Sequence, residues 1–577
     1  MRSPLPFALL AAAVLGAGCA EVEFRETLLG RLPPERPAGS IAVSPDGRHV
    51  AMILPQGRGR VVTVDGRAGR VYDEVFTRPP VFSPDSRHVG YSARRGDARF
   101  LVLDRRESPA YDRIVRSGPV FSPDGRRVAY SAWRRGKCFA VTDGVEGPLF
   151  DEFGGGTPVF SPDSRRVAYW GKRGGKCIIV VDGLEEKTYD AVIDVAFGFS
   201  PDSRRFFCSA KSGGRCFFVV DGVEGPAYDT LGKPGVTFSP DSTRLVYVGK
   251  RDGKFYAVVD GVEGPAYDAM WYPRLSPDGR RVAYKAERGG KRLYVIDGQE
   301  GEPYDDVFSD RFCFSPDGRR YAYKALRDGG GSFLVLDGAT TGPYEGLAEE
   351  SPVFSPDSRT LFSKVMRGDK WLLLLNGAEG TLYDCVSRDS PIFSPDGRRV
   401  ALQIRRGGRW LFVVDGVEVA EHSYPSAPRF SPDGKRFSYA AWDGGKIALV
   451  VDGVEGPFFD AIDDAGPVYG ADGRFAYAAT EKGKSYVVLN HEVVSPPYEE
   501  VGGVAFGPDG RHLVYGVRFK DEAGAVRHSL VVDGHQGPLY DDLLEGSRIV
   551  FDGPRRLHAL FVRGDAVWRV DVVLRGK

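Results

Sequence analysis

From about residue 40 onward the chain is a succession of short apolar or alternating runs separated by turn residues. Between Thr157 and Val192 the pattern is complete: TPVF is a short apolar run, and Ser161-Pro162-Asp163-Ser164 suits a type I turn. Proline presets φ at the second position of such a turn, and serine and aspartate bond to nearby backbone. RVAYW then alternates as a second strand, KRGG turns the chain, CIIVVD is a third strand, and TYDAV, after Asp182-Gly183, is a fourth. No helical period intervenes, so the pattern predicts four short strands and nothing else.

The same pattern recurs. FSPD followed by Gly or Ser places its serine at Ser44, Ser83, Ser122, Ser161, Ser200, Ser239, Ser276, Ser315, Ser355, Ser394 and Ser431, in steps of 37 to 40 residues. Weaker copies follow at Tyr469–Gly473, Phe506–Gly510 and Val550–Gly553, which makes fourteen. Four short strands per period of this length describe a propeller blade. The FSPDG turn followed by an alternating strand resembles the TolB-type, WD-like propeller repeat, over almost the whole chain. Two features depart from that family. The later strands read VVDGVEGPAYDA, and no separate amino-terminal domain precedes the blades, so the resemblance implies the fold without carrying over the TolB role.

The expected architecture is therefore all-β: fourteen four-stranded blades, as two seven-bladed β-propellers in tandem. Fourteen blades in one ring would leave a wide axial hole, and the last copy stops after its third strand, near Leu574. Val22–Leu29 can supply an outer strand, and closure removes exposed strand edges. With 1–18 read as a signal peptide, the expected propellers span 19–299 and 300–577; a 6+8 split or one incomplete ring are the alternatives.

Composition adds exclusions. Seventy-eight basic and 78 acidic side chains cancel in a chain of 577 residues, which removes the net-charge argument for nucleic acid. Arg2, the apolar run Leu5–Leu15 and the small residues before Cys19 read as an export signal, too short to span a bilayer. LGAGC resembles a bacterial lipoprotein signal and implies lipid attachment at Cys19, with cleavage after Ala20 as the alternative. The expected location is the bacterial cell envelope, with membrane contact only through that lipid, and the expected state is a monomer.

Alternation of turns puts the SPDG and DGVEGP turns on one face and the RGGK turns on the other. The second face collects Arg134, Arg135, Lys137, Lys172, Arg173 and Lys176, with Trp133, Trp170 and Trp271 at the same end. Guanidinium groups pair with carboxylates and indoles stack on flat faces, so these residues are the candidate binding surface. The competing reading is that they keep hairpin tips soluble and fill space between blades. Cys208 and Cys216 lie across one hairpin and are a candidate disulfide. Eight histidines show no metal-ligand spacing, the Tyr-Asp pairs read as strand-end turns, and no nucleophile elbow, P-loop or CxxC occurs. No cofactor or metal is expected.

Three functions fit. The first is a non-catalytic, envelope-anchored binding or scaffold protein that presents a propeller face to a protein or an anionic glycan. The second is a propeller enzyme acting on a polysaccharide or peptide in an axial funnel, which should show charged residues that break the repeat in one group of blades. The third is a TolB-like assembly partner.

Overall fold

A computed structural model describes residues 21–32, 39–154, 158–233, 235–271, 273–308, 312–419 and 424–575. Cys19 and the expected signal peptide lie outside the described residues. Among those described, all regular structure is strand, in fourteen antiparallel sheets. Numbered in chain order, blade 1 spans 41–72, blade 2 74–107, blade 3 113–146, blade 4 152–189, blade 5 191–224, blade 6 230–267 and blade 7 269–300. Blades 8 to 13 span 306–344, 346–383, 385–418, 424–459, 461–493 and 500–536. Blade 14 combines 542–575 with Glu21–Arg31. These are the four-stranded blades of a β-propeller, with the first strand interrupted in ten of the sheets.

Blade 3 shows why the residues do this. Val128–Arg134 and Lys137–Thr142 pair directly across the hairpin, and both are buried along most of their length, with Tyr130 and Phe139 packed against Leu101 of blade 2. In the SPDG turn, Ser122 Oγ donates to Asp124 Oδ1 at 2.6 Å and accepts the Arg127 amide at 2.9 Å. Gly125 supplies the left-handed residue with φ 77°. Where serine takes the glycine's place it carries the same positive φ and bonds to the preceding blade: Ser203 Oγ accepts the Asp163 amide at 2.8 Å. The turn residue that the repeat varies is thus also a link between blades.

Adjacent blades share cores. Tyr72, Val75, Val89 and Tyr91 pack with Ala51 and Val62 between blades 1 and 2, and Leu29, Val50, Met52, Leu560 and Val567 between blades 14 and 1. The outer strand expected from Val22–Leu29 is present as Glu21–Arg31, and it pairs with Ala566–Arg575 in the register Glu21 to Arg575. The amino-terminal strand thus forms the outer edge of blade 14. Blade 7, by contrast, has its own fourth strand, Gln299–Glu300, and among the described residues none from the amino terminus pairs with that sheet. The described residues of Met1–Gly147 with Ser438–Lys577 form one compact unit, and Pro148–Phe437 another.

Candidate binding site

The basic residues of the RGGK face are held by neighbours. Arg134 makes a two-point bridge to Glu146 at 2.7 and 2.8 Å, and Arg173 does the same to Glu185 at 2.6 and 3.1 Å. Lys172 meets Glu152 at 3.0 Å, and Lys176 pairs with Asp190. Lys137 begins a third strand and is exposed, as is Arg135. Arg135 sits at φ 50° with its amide bonded to Asp112 at 2.6 Å.

These pairs belong to a repeated seam. Tyr72, ending blade 1, donates its hydroxyl to Glu107 of blade 2 at 2.8 Å, while Arg95 grips both Glu107 oxygens and lies 5.9 Å from the Tyr72 ring centre. Tyr228–Glu263–Arg251, Tyr267–Glu300–Arg288 and Tyr540–Glu26–Arg563 repeat it. Burial pushes the Tyr72 phenol well above its usual range. Burial also works against ionised Glu107, but the bonds from Arg95 and Tyr72 outweigh it and hold that carboxyl low. The acidic residue after the strand-end tyrosine or phenylalanine accepts an amide from the next blade's hairpin tip, as Asp151, after Phe150, does from Gly174 at 2.9 Å and Asp190, after Tyr189, from Gly213 at 2.9 Å. Tyr-Asp, VEG and RGGK, three separate signals in the sequence, are one device for joining blades.

The tryptophans also serve packing. The Arg113 guanidinium lies 4.6 Å from the Trp133 ring centre, Trp170 packs into the core between blades 4 and 5, and Lys285 and Arg292 lie over Trp271 at 4.5 and 5.6 Å. The Cys208–Cys216 bridge is corrected by the register: Cys208 faces Val219 and Cys216 faces Lys211, and both thiols are buried and free. Burial pushes the Cys208 thiol up to about 12.

The positions that break the repeat are more informative. In each seam a residue of the blade's first strand or the link into it stands opposite a residue of the second strand, and together they fill one slot. The pairs include Phe76 with Ser92, Gly154 with Trp170, Gly232 with Val248, Trp271 with Lys285, Phe308 with Lys324, Ala348 with Lys364 and Leu544 with Leu560. Blades 7 to 9 thus use lysine in a mostly buried position. The Lys285 ammonium reaches Asp306 at 2.8 Å, and that of Lys364, with 3% of its side chain exposed, donates to the Ser387 carbonyl at 2.9 Å. Burial pulls the Lys364 ammonium below its usual range. Arg274, which breaks the first-strand pattern, donates to the Phe312 carbonyl at 3.0 Å.

Blade 14 holds a second break. His558 stands opposite Asp571, where blade 3 has Ala129 opposite Thr142. Asp552, His558 and Asp571 bring their ligand-type atoms within 4.8 Å of one another. Their contacts are already committed: His558 Nδ1 lies 2.8 Å from Asp552, its Nε2 3.0 Å from the Asp46 carbonyl of blade 1, and Arg48 and Arg569 pair with the two carboxylates at 2.7 and 2.9 Å. Two arginines beside the carboxylates disfavour a divalent cation and make the cluster an ionic latch between blades 14 and 1.

In blade 13 the slot has no side chain at all: Gly502 stands opposite Gly516. There the surface opens into a cavity of about 560 Å³ between blades 13 and 14, within the usual range for small-molecule sites. Its walls are Val504, Val517, Leu530, Ile549, Phe551 and Phe561, and Glu500, Arg518, His528 and Arg548 bring polar groups to it. Arg518 bonds Glu500 at 2.8 Å, whereas Arg548 has the Pro45 carbonyl at 3.4 Å. Sequence reading missed this site; the signal was a GG and a lone glycine at aligned positions of one repeat.

No family model and no curated protein matches the chain. Among solved structures it is similar to a eukaryotic initiation factor, with 13% identity over 65% of this chain and 96% of that one, at a TM-score of 0.26. It is also similar to TolB from Acinetobacter baumannii, with 15% identity over 50% and 78% of the two chains, at a TM-score of 0.19. A third is the β-propeller domain of the Trilobed protease from Pyrococcus furiosus, with 14% identity over 46% and 93%, at a TM-score of 0.21. Likenesses this distant carry no functional argument, and fold does not specify function. What the chain's own fourteen blades establish is a β-propeller repeat protein.

Proposed function

We propose that the protein is a non-catalytic binding or scaffold protein, held at the bacterial cell envelope through lipid on Cys19, that presents its RGGK hairpin face to a partner protein. The observation that carries this reading is the local neutralisation of that face. Arg134, Lys172, Arg173 and Lys176 each meet a carboxylate of the same chain. A face of mixed and paired charge on rigid hairpins suits a protein partner better than an anionic glycan, which would need uncompensated positive charge. Arg135 and Trp133 then remain as contact candidates at the tips, whereas Arg134 and Arg173 serve the seams.

The test is capture from envelope extract with the full chain, compared with Arg135→Glu combined with Trp133→Ala. The partner should be retained by the parent protein at moderate salt and lost from the variant. Equal capture by both would remove the hairpin face from the reading. Capture of sulfated or carboxylated glycans that collapses as salt rises would replace the protein partner with a polyanion.

A further inference from the structure

The cavity between blades 13 and 14 is better built than a packing defect needs to be. Glycine inside a strand weakens it and usually marks a bulge or the close approach of something else. A register irregularity does lie between Gly502 and Ala505, but its positive φ, 63°, falls on Gly503. Gly502 itself has no positive φ, and a Cβ placed on it would meet nothing within 4 Å. Gly516 likewise has no positive φ, and its Cβ would come no nearer than 3.5 Å to the Gly502 carbonyl. Blade 2 carries phenylalanine and serine at the same two places, Phe76 and Ser92. Backbone geometry would therefore accept side chains here, and what the two glycines provide is room.

The room has a definite chemistry. Val517, Leu530 and Phe561 are almost fully buried and form an apolar floor. Polar groups gather at one side, where Arg518 is neutralised by Glu500 and Arg548 is exposed with a carbonyl contact at 3.4 Å. His528 there lies 3.7 Å from Asp542. An apolar recess with a guanidinium beside it fits a molecule with an apolar body and an anionic end, since guanidinium binds carboxylate or sulfonate through paired donors.

We infer that this cavity is a binding site for a small amphipathic anion, its aromatic or branched apolar body between blades 13 and 14 and its charged group at Arg548. The site is separate from the hairpin-face reading and does not depend on it.

The test uses the full chain and 8-anilinonaphthalene-1-sulfonate, an aromatic anion whose fluorescence rises on leaving water. The parent protein should show saturable binding at one site. Gly502→Phe, which restores the side chain of blade 2, should weaken binding at least tenfold while leaving the circular dichroism spectrum and the melting temperature intact or raised. Gly516→Ser adds little volume and should retain binding, and Arg548→Glu should weaken it several-fold, more so at low salt. Undiminished binding by folded Gly502→Phe would overturn the assignment, as would non-saturable binding shared by every variant. If Gly502→Phe misfolds, competition in the parent protein between the probe and naphthalene-sulfonate decides, and failure to displace overturns it.

Discussion

Gly154 and Gly502 occupy the same place in blades 4 and 13, and they are glycine for opposite reasons. A Cβ on Gly154 would stand 2.1 Å from the Trp170 ring, so that glycine is required by the indole that fills the slot. A Cβ on Gly502 would meet nothing, and the residue opposite it is another glycine. One slot is closed by a large side chain on a small partner; the other is left open. Blade 9 gives a third solution, with Lys364 opposite Ala348. The fold thus tolerates an indole, a buried ammonium or nothing at one repeated position. The variation is where this molecule departs from a plain stack of identical blades.

The largest expected break in that comparison is Lys364→Ala. It leaves the Ser387 carbonyl and, 3.7 Å away, Glu350 without their buried partner. It should cost about 3 kcal/mol, the scale for breaking a buried charge interaction, in denaturant unfolding of the transition that includes this blade. Lys364→Met, which keeps the volume, should cost clearly less; equal losses would mean that the lysine acts as filler only. Next comes Gly154→Val, with overpacking against Trp170 expected to destabilise by about 2 kcal/mol. Gly502→Val, the same substitution at the matching place, should be neutral or stabilising by about 1 kcal/mol, as cavity filling commonly is. Equal melting temperatures for the two valine variants would falsify the distinction between a filled and an open slot.

The smallest effect sharpens the comparison at the other end of blade 13. His512 pairs with Asp533 at 2.6 Å where blade 4 pairs Arg166 with Asp182 at 2.9 Å. The bond to Asp533 raises the His512 pKa above the ordinary histidine range. Its contribution is therefore fully present below about pH 6.5 and is lost as pH rises through the folded value. His512→Arg, which stays charged across this range, should remove that decline and change stability at pH 6 by about 1 kcal/mol, the scale of one hydrogen bond. A parent and variant with parallel stability curves from pH 6 to 9 would rule out the histidine as the source.

Much of this was legible in the sequence. The period from Ser44 to Ser431 predicted the blades, and the outer strand near Val22–Leu29 is there as Glu21–Arg31. Its partner was not legible, because any third strand with a bare edge would accept it, and only the three-dimensional course of the chain brings Glu21 opposite Arg575. The hairpin charges were legible as residues, but the carboxylates that pair with them were not. Arg134 and Glu146 are 12 positions apart on different strands, and linear spacing does not show that their side chains meet. Cys208 and Cys216 failed similarly, since being in one hairpin does not put two residues in register.

By itself, the sequence determined the repeating unit, the strand-and-turn alternation and the number of blades, because turn chemistry and period-two burial are local properties that each copy states again. Tertiary structure alone decided what sits between the blades. Whether a tyrosine reaches a glutamate, a lysine is buried or a pair of glycines leaves a cavity depends on how two sheets are spaced. That spacing is set by side chains about 39 residues apart rather than by any one stretch of the chain.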